Sequence, residues 1–287
     1  MGSEISKKYV VAEQPCASGG NSCLWRIFSA RNRATEEKVS LWVFNKSDDL
    51  KDLSDKTHRE RLLDIQRRDS KTIKMMRHPS IVGVLDTFEE ARGGGLAFIT
   101  ERIKFSLANA LGNRRHIPIG SKADNLARKG KEMEFYEVAR GIASISEALQ
   151  YVHTISRRIH LNLGPESILM TASGHWKLAG FGFSIELPKD GSDGTPCPHF
   201  HGGNSIYGGP WSLTPSLAYS SPEAMAPLGE AQVGSFSDAF SLGCLMLDSL
   251  MRLRGSQRSL EEYLGIGPNS TPRSLIVAHN EGKYQSA

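Results

Sequence analysis

The sequence predicts an α+β fold of two lobes, in which a small β-rich lobe carrying one helix precedes a larger, mainly helical lobe. Up to residue 102, short runs rich in Val, Ile, Phe and Trp alternate with polar turns, as strands do. After residue 103, apolar residues recur at helical spacing instead. A chain of 287 residues with 39% hydrophobic residues can bury one core, or two lobes that share a cleft.

The first lobe is predicted to span residues 9–103. Three strands are expected in the segments YVVAEQ, CLWRIFSA and KVSLWVFNK. Residues 56–77 contain no Gly or Pro and predict a helix that the following His78-Pro79 ends. Two further strands, joined through a glycine turn, are expected over residues 81–89 and 96–102.

The second lobe is predicted to span residues 104–264, with an irregular tail over 265–287. Helices are expected at 106–111, from 137 to 152, at 222–226 and at 240–250, with a loop over 188–210. Residues 112–131 are polar and indicate a mobile surface insert. The alternative is a phosphate-binding patch formed by the cations of this insert: Arg114, Arg115, Lys122, Arg128, Lys129 and Lys131.

Charge and cysteine usage limit the class of protein. A formal net charge of +4, from 35 basic and 31 acidic residues, is too small to indicate a nucleic-acid partner. The four cysteines form no CxxC pair, which favours a reducing, cytoplasmic compartment. No run approaches the roughly 20 apolar residues of a membrane span, so membrane association is expected to be peripheral at most. The opening MGSEIS fits the pattern for myristoylation at Gly2.

Four motifs resemble those of protein kinases and occur in the same order. IHLNLGPESIL at 159–169 resembles the catalytic loop, and WKLAGFGFS at 176–184 resembles the segment that holds the metal. Ser221-Pro222-Glu223 is similar to Ala-Pro-Glu, and SDAFSLG at 237–243 is similar to the start of a helix in the large lobe. The resemblance implies a bilobal protein-kinase-like fold with a truncated second lobe.

The residues that would carry phosphoryl transfer are replaced in each motif. The resemblance aligns Asn162 with the catalytic aspartate, Gly164 with a phosphate-contacting lysine and Ser167 with a metal-binding asparagine. Gly180 stands in place of the metal-binding aspartate, and Trp42 in place of the lysine that anchors ATP. An amide has no useful basicity at neutral pH, and an indole cannot replace an ammonium group. We therefore expect no catalytic residue and no metal site, and predict a pseudokinase.

The resemblance also places a candidate nucleotide cleft between the lobes. It is expected to be empty, filled by Trp25 and Trp42, or occupied by ATP without turnover. The alternative function is an atypical, low-activity ATP-binding serine/threonine kinase that uses Lys46, four residues beyond Trp42 and on the same strand face. The candidate cleft residues are Gly20, Ser22, Trp25, Ser40, Trp42, Thr100, Glu101 and Leu169.

Other residues are expected to hold the fold. The alignment predicts that His160 and Phe181 stack in a hydrophobic spine below Ile73 and Val84, and that Asp238 holds the backbone of the catalytic loop. Asp69 aligns with the acid that would pair with the missing lysine. The usual arginine partner of Glu223 would lie in the C-terminal part of the lobe that is missing from this sequence. His153, at the end of a long helix, is expected to be a packed or capping residue. Cys197, His199 and His201 could form a zinc site, but a polar loop is the simpler interpretation.

The segments SGGNSCLWRIF at 18–28 and LAFITERIKFSLANALGN at 96–113 resemble the SCY-like pseudokinases, specifically the coated-vesicle-associated group. This resemblance implies a scaffold role in vesicle trafficking at Golgi, endosomal or coated-vesicle membranes, with clathrin coat and adaptor components as partners. A helical-repeat domain and a disordered tail follow the kinase-like domain in that family, and neither is present in this sequence.

Overall fold

A computed structural model describes residues 3–51, 53–89, 95–129, 133–197, 213–226 and 231–251. The predicted tail over 265–287 and most of the predicted loop over 188–210 lie outside these ranges. Gly2, the candidate myristoylation site, also lies outside them.

The first lobe is built on a five-stranded antiparallel sheet in the order β1-β2-β3-β5-β4. Its strands are β1 (Tyr9–Gly19), β2 (Trp25–Asn32), β3 (Lys38–Phe44), β4 (Val84–Glu89) and β5 (Leu96–Glu101). Alternation along β3 directs Trp42 and Phe44 to the main core and Val39 and Leu41 to a smaller cluster. Ile5 of a short N-terminal helix, α1 (Ser3–Lys8), belongs to that smaller cluster.

The single long helix of the first lobe is α3 (Lys56–Met75), which follows the short α2 (Lys46–Asp49). The Asp55 side chain caps α3 by accepting a hydrogen bond from the Thr57 amide. The buried residues of α3 include Leu62, Leu63 and Ile73, as the apolar spacing predicts. The predicted helix is confirmed, and it ends two residues earlier than expected.

The second lobe combines a three-stranded sheet, in the order β6-β8-β9, with two long helices. Short strands pair as β7 with β10 and β11 with β12. No helix within the described ranges is long and apolar enough to cross a bilayer. The elements are β6 (Ile103–Ser106), α4 (Leu107–Ala110), α5 (Lys122–Lys129), α6 (Phe135–Thr154), β7 (Arg158–Ile159), β8 (Ile168–Thr171), β9 (Trp176–Leu178), β10 (Ile185–Glu186), β11 (Thr195–Pro196), β12 (Gln232–Val233) and α7 (Ser235–Met251).

The insert after residue 112 is more ordered than the sequence suggests. Its described part contains α5 and is held by Asp124, whose side chain is almost fully buried. Arg114 Nε lies 2.6 Å and Arg128 Nε 2.9 Å from the Asp124 carboxylate. The expectation of a mobile insert was wrong for this part, because one buried acid pairs with two of its cations. The same pairing occupies the Nε atoms of Arg114 and Arg128, two of the cations of the alternative phosphate-binding patch.

Candidate nucleotide cleft

The loop between β7 and β8 is held by Asp238 at the start of α7. Its carboxylate accepts hydrogen bonds from the amides of His160, at 2.7 Å, and Leu161, at 2.8 Å. The His153 Nε2 atom lies 2.8 Å from the same carboxylate, which confirms His153 as a packed residue. Leu161 has φ 56°, an unfavourable backbone conformation for a bulky residue. Asp238 therefore stabilises a strained loop, and its predicted role is confirmed.

Four of the predicted site residues lie together in and beside this loop. Asn162 Nδ2 donates to the Gly180 carbonyl at 3.2 Å, and Ser167 Oγ donates to the Gly164 carbonyl at 2.8 Å. The Ser167 carbonyl in turn accepts from the Ala179 amide at 2.8 Å. The side chains at 162 and 167 thus bind backbone groups. This arrangement has structural hydrogen bonds where proton transfer and metal binding would need carboxylates.

The backbone around Gly180 leaves little room for a side chain. Gly180 has φ 79°, and a Cβ atom built on it would lie 3.0 Å from Ser167 Cβ and 3.4 Å from Asn162 Nδ2. The left-handed conformation and the close approach both favour glycine.

Aromatic rings pack together on the inner face of the five-stranded sheet. Trp25 and Trp42 are 0% and 1% exposed, and Phe98 lies between 4.8 and 5.1 Å from them by ring centroids. Trp42 Nε1 donates to Thr100 Oγ1 at 2.9 Å, so the indole has its polar partner inside the core. Leu169, in β8 of the second lobe, is also fully buried.

Asp69 of α3 connects three parts of the first and second lobes. Its Oδ2 atom accepts from Trp25 Nε1 at 2.8 Å, and its Oδ1 atom accepts from the Phe181 amide at 2.7 Å. The sequence assigned Asp69 only to an ion pair whose lysine is absent, and so missed this role. One signal could have indicated it: Asp69 lies on the buried face of α3, and Trp42 replaces the lysine that would otherwise pair with it, so the acid needs another partner.

The pKa of Asp69 predicts a pH dependence of stability. Burial raises the pKa of this carboxyl to about 6, although the bonds from Trp25 and Phe181 favour its ionised form. The unfolded value is about 3.9, so the stabilisation associated with the protonated form is lost as pH rises through about 6. Between about pH 4 and pH 7, the free energy of unfolding should fall by about 2 kcal/mol relative to an Asp69→Asn variant. Urea denaturation at several pH values measures this difference, and parallel profiles for the two proteins would contradict it.

The β1–β2 connection lies directly on the second lobe. The Gly20 amide donates to the Glu166 carbonyl at 2.8 Å. A Cβ atom on Gly19 would lie 3.2 Å from Leu169 Cδ1, and one on Gly20, at φ 70°, would lie 2.4 Å from Trp25 Cδ1. Gly19 thus permits close packing against the second lobe, and Gly20 permits close packing against the Trp25 ring of its own lobe. The two walls of the candidate cleft are therefore in contact at this end.

The polar groups of the linker between the lobes are bonded internally. Ser40 Oγ accepts from the Ile103 amide at 2.9 Å, and Glu101 Oε1 accepts from the Gly83 amide at 3.0 Å. Lys177 Nζ lies 2.6 Å from the same Glu101 oxygen. Ser40, Thr100 and Glu101 are thus brought to one region, as predicted, but their hydrogen bonds are made within the protein.

The residues just before and within the insert tie the β1–β2 connection to the second lobe. Asn109 Oδ1 accepts from the Ser18 amide at 3.0 Å, and Arg115 Nη1 donates to the Ser22 carbonyl at 3.1 Å. His116 Nε2 lies 3.7 Å from Asp49 Oδ1. Burial, together with nearby arginines, lowers the pKa of His116 to about 4, so this contact is not an ion pair at neutral pH. The sequence did not predict that this segment contacts both the β1–β2 connection and α2.

Comparison with known proteins assigns the family of this chain. Residues 19–262 match the family model described as protein kinase domain. The chain belongs to the protein kinase domain family. SCY1-like protein 2 of Mus musculus and that of Homo sapiens are each 31% identical over 253 residues, covering 86% of this chain and 25% of the relative. Protein kinase-like protein SCY1 of Saccharomyces cerevisiae is 25% identical over 281 residues, covering 90% of this chain and 32% of the relative.

These similarities confirm the predicted resemblance to the SCY-like kinase-fold family and the bilobal α+β fold. The chain spans 25% of the length of the mouse and human relatives. The activity and partners of a whole SCY-like protein are therefore not assigned to it by these matches.

Lys46 does not occupy the position that the alternative kinase mechanism requires. Strand β3 ends at Phe44, and the Asn45 side chain accepts hydrogen bonds from the amides of Ser47 and Asp48 to begin α2. Lys46 is thus the first residue of a helix and lines a surface cavity with Lys51 and Lys56. The prediction that Lys46 shares a strand face with Trp42 was wrong, because the helix cap ends the strand.

The structure also places the predicted spine residues and Glu223. His160 and Phe181 meet edge to face with ring centroids 4.8 Å apart, as predicted. Glu223 Oε1 accepts from Ser237 Oγ at 2.6 Å, a partner the sequence did not suggest.

Of the candidate zinc ligands, Cys197 is 2% exposed, while His199 and His201 lie outside the described residues. In the described part of the chain, no group of three or more His, Cys, Asp or Glu residues is arranged to hold a metal ion.

Proposed function

We propose that this SCY-like kinase-fold domain does not transfer phosphate and acts as an interaction module, that is, a pseudokinase. The observation that carries the proposal is the closed cleft, in which the Gly20 amide bonds to the Glu166 carbonyl in front of the buried Trp25 and Trp42. A triphosphate needs space, backbone donors and a counter-ion in this region. The buried Trp25 ring lies against Gly20, and the Gly20 donor is used within the protein.

The chemistry of the loop residues supports the same proposal. Asn162 and Ser167 are bonded to the backbone, and Gly180 has no carboxylate. The removal of one charge-stabilising group typically reduces a rate by a factor of about 100 to 1,000, and the absence of base, metal ligand and lysine together should leave no useful rate. The position of Lys46 in α2 gives the kinase alternative no support.

The cellular role follows from the family resemblance. We propose a scaffold function in vesicle trafficking, with clathrin coat and adaptor components as partners. The location is the cytoplasm, with peripheral association at Golgi, endosomal or coated-vesicle membranes. The support for this role is the similarity to SCY1-like relatives over 86% of this chain.

A nucleotide titration tests the inactive cleft. With magnesium or manganese and ATP up to 1 mM, we expect no thermal shift and no transfer of radiolabelled phosphate. A site with a Kd of about 10 μM would stabilise the fold by about 2.7 kcal/mol at this concentration and raise the Tm by about 5 °C or more. Lys46→Ala and Lys51→Ala serve as a matched pair. Metal-dependent stabilisation together with phosphate transfer that only Lys46→Ala abolishes would establish the kinase alternative instead.

A further inference from the structure

A cavity of about 410 Å³ opens on the surface of the first lobe, between α2 and the first two turns of α3. All its lining residues come from the segment 46–63, and none of them is a candidate cleft residue. Its volume lies in the range of about 300 to 1,000 Å³ that is typical of ligand pockets. The cavity is therefore a feature separate from the closed cleft.

The lining of this cavity is strongly cationic. The described residues that line it include Lys46, Lys51, Lys56 and Arg59, with Glu60 as the carboxylate among them. Glu60 Oε1 lies 3.8 Å from Lys56 Nζ, and the two side chains are 66% and 89% exposed, so this pair is weak. The other three cations of the lining, Lys46, Lys51 and Arg59, have no ion pair with Glu60 within 4 Å.

The floor of the cavity is apolar and its walls are fixed. Leu50 and Leu63 both line it and are only 7% and 8% exposed. The Asn45 cap holds the first turn of α2, and Arg59 Nε donates to the Leu53 carbonyl at the start of α3. Cations around an apolar floor suit a ligand that combines negative charge with an apolar side chain.

We propose that this cavity, the α2–α3 pocket, docks a phosphorylated segment of a partner protein, with an apolar side chain of the segment against the two leucines. A phosphorylated side chain carries a charge of about −1.5 to −2 and three acceptor oxygens, which several lysine and arginine donors can bind together. A concave pocket with a leucine floor fits a protruding peptide side chain better than it fits the flat surface of a membrane. The proposal does not depend on whether the cleft binds nucleotide.

Fluorescence anisotropy with the full chain tests this pocket. The probe is a labelled peptide, Gly-Leu-Asp-phosphoserine-Asp-Leu-Gly, compared with the same peptide unphosphorylated. The double variant Lys46→Glu with Lys51→Glu changes the pocket, and Arg68→Glu with Lys71→Glu makes the same charge change at exposed positions of α3 outside it. Circular dichroism checks that both variants are folded.

We expect the phosphopeptide to bind at least tenfold more tightly than the unphosphorylated peptide, and the pocket variant to lose at least tenfold in Kd while the matched variant changes less than twofold. Equal losses in the two variants would mean non-specific attraction and would overturn the proposal. No preference for the phosphorylated peptide would also overturn it. A third outcome would overturn it as well: the protein binds no peptide but binds vesicles of phosphatidylcholine with phosphatidylserine, and only the pocket variant loses this vesicle binding.

Discussion

Trp25→Ala should lower the free energy of unfolding by about 3 to 5 kcal/mol, the range typical of removing a large buried aromatic side chain. Trp25 is fully buried, and its ring lies 4.8 Å from Phe98 and 6.4 Å from Trp42 by centroids. The change also removes the Nε1 donor to Asp69, which then retains only the Phe181 amide. Urea denaturation monitored by circular dichroism measures the loss.

Trp25→Phe separates the two contributions of this residue. Phenylalanine keeps most of the apolar ring but leaves the buried Asp69 Oδ2 atom without its donor at 2.8 Å. An unsatisfied buried group costs about 1 to 3 kcal/mol, so this variant should be intermediate between wild type and Trp25→Ala. If Trp25→Ala were as stable as wild type, the ring would not fill the closed cleft, and the main support for an inactive cleft would be lost.

Asp238→Ala should destabilise the fold by about 3 to 5 kcal/mol, because it leaves two buried amides without an acceptor. These amides belong to His160 and Leu161, and Leu161 depends on this bond to hold φ at 56°. The His153 ring loses the same partner at 2.8 Å. We expect a lower urea midpoint for the variant at unchanged secondary structure content.

Asp64→Ala is the matched control for this measurement. Asp64 is also a helical aspartate, but its side chain is 65% exposed and its pair with Arg67 spans 3.5 Å at the surface. Exposed pairs of this kind contribute little, so the control should lie within about 0.5 kcal/mol of wild type. A loss below about 1 kcal/mol for Asp238→Ala would show that the loop is held by other contacts.

Local patterns predicted the elements well where one physical rule dominated. The α3 helix follows from apolar spacing and the proline after it, and its observed end at Met75 is close to the expected one. The insert was predicted poorly because its composition is polar, and composition alone does not reveal that Asp124 is buried between two arginines. The position of Lys46 was predicted wrongly because the prediction extended the strand pattern of β3 past Asn45. Asn45 is a residue type that favours helix caps, and it begins α2 at Lys46.

The sequence by itself determined which chemical groups are available: an amide at Asn162, no side chain at Gly180 and an indole at Trp42. These are properties of residue types and do not depend on the fold. Only the tertiary structure decided that the cleft is closed. The bonds of Asp69 join residues 44 and 112 positions apart, and the Gly20 amide reaches Glu166 in the other lobe. Such contacts depend on how the lobes pack, because no local pattern in the chain encodes which distant backbone groups will meet.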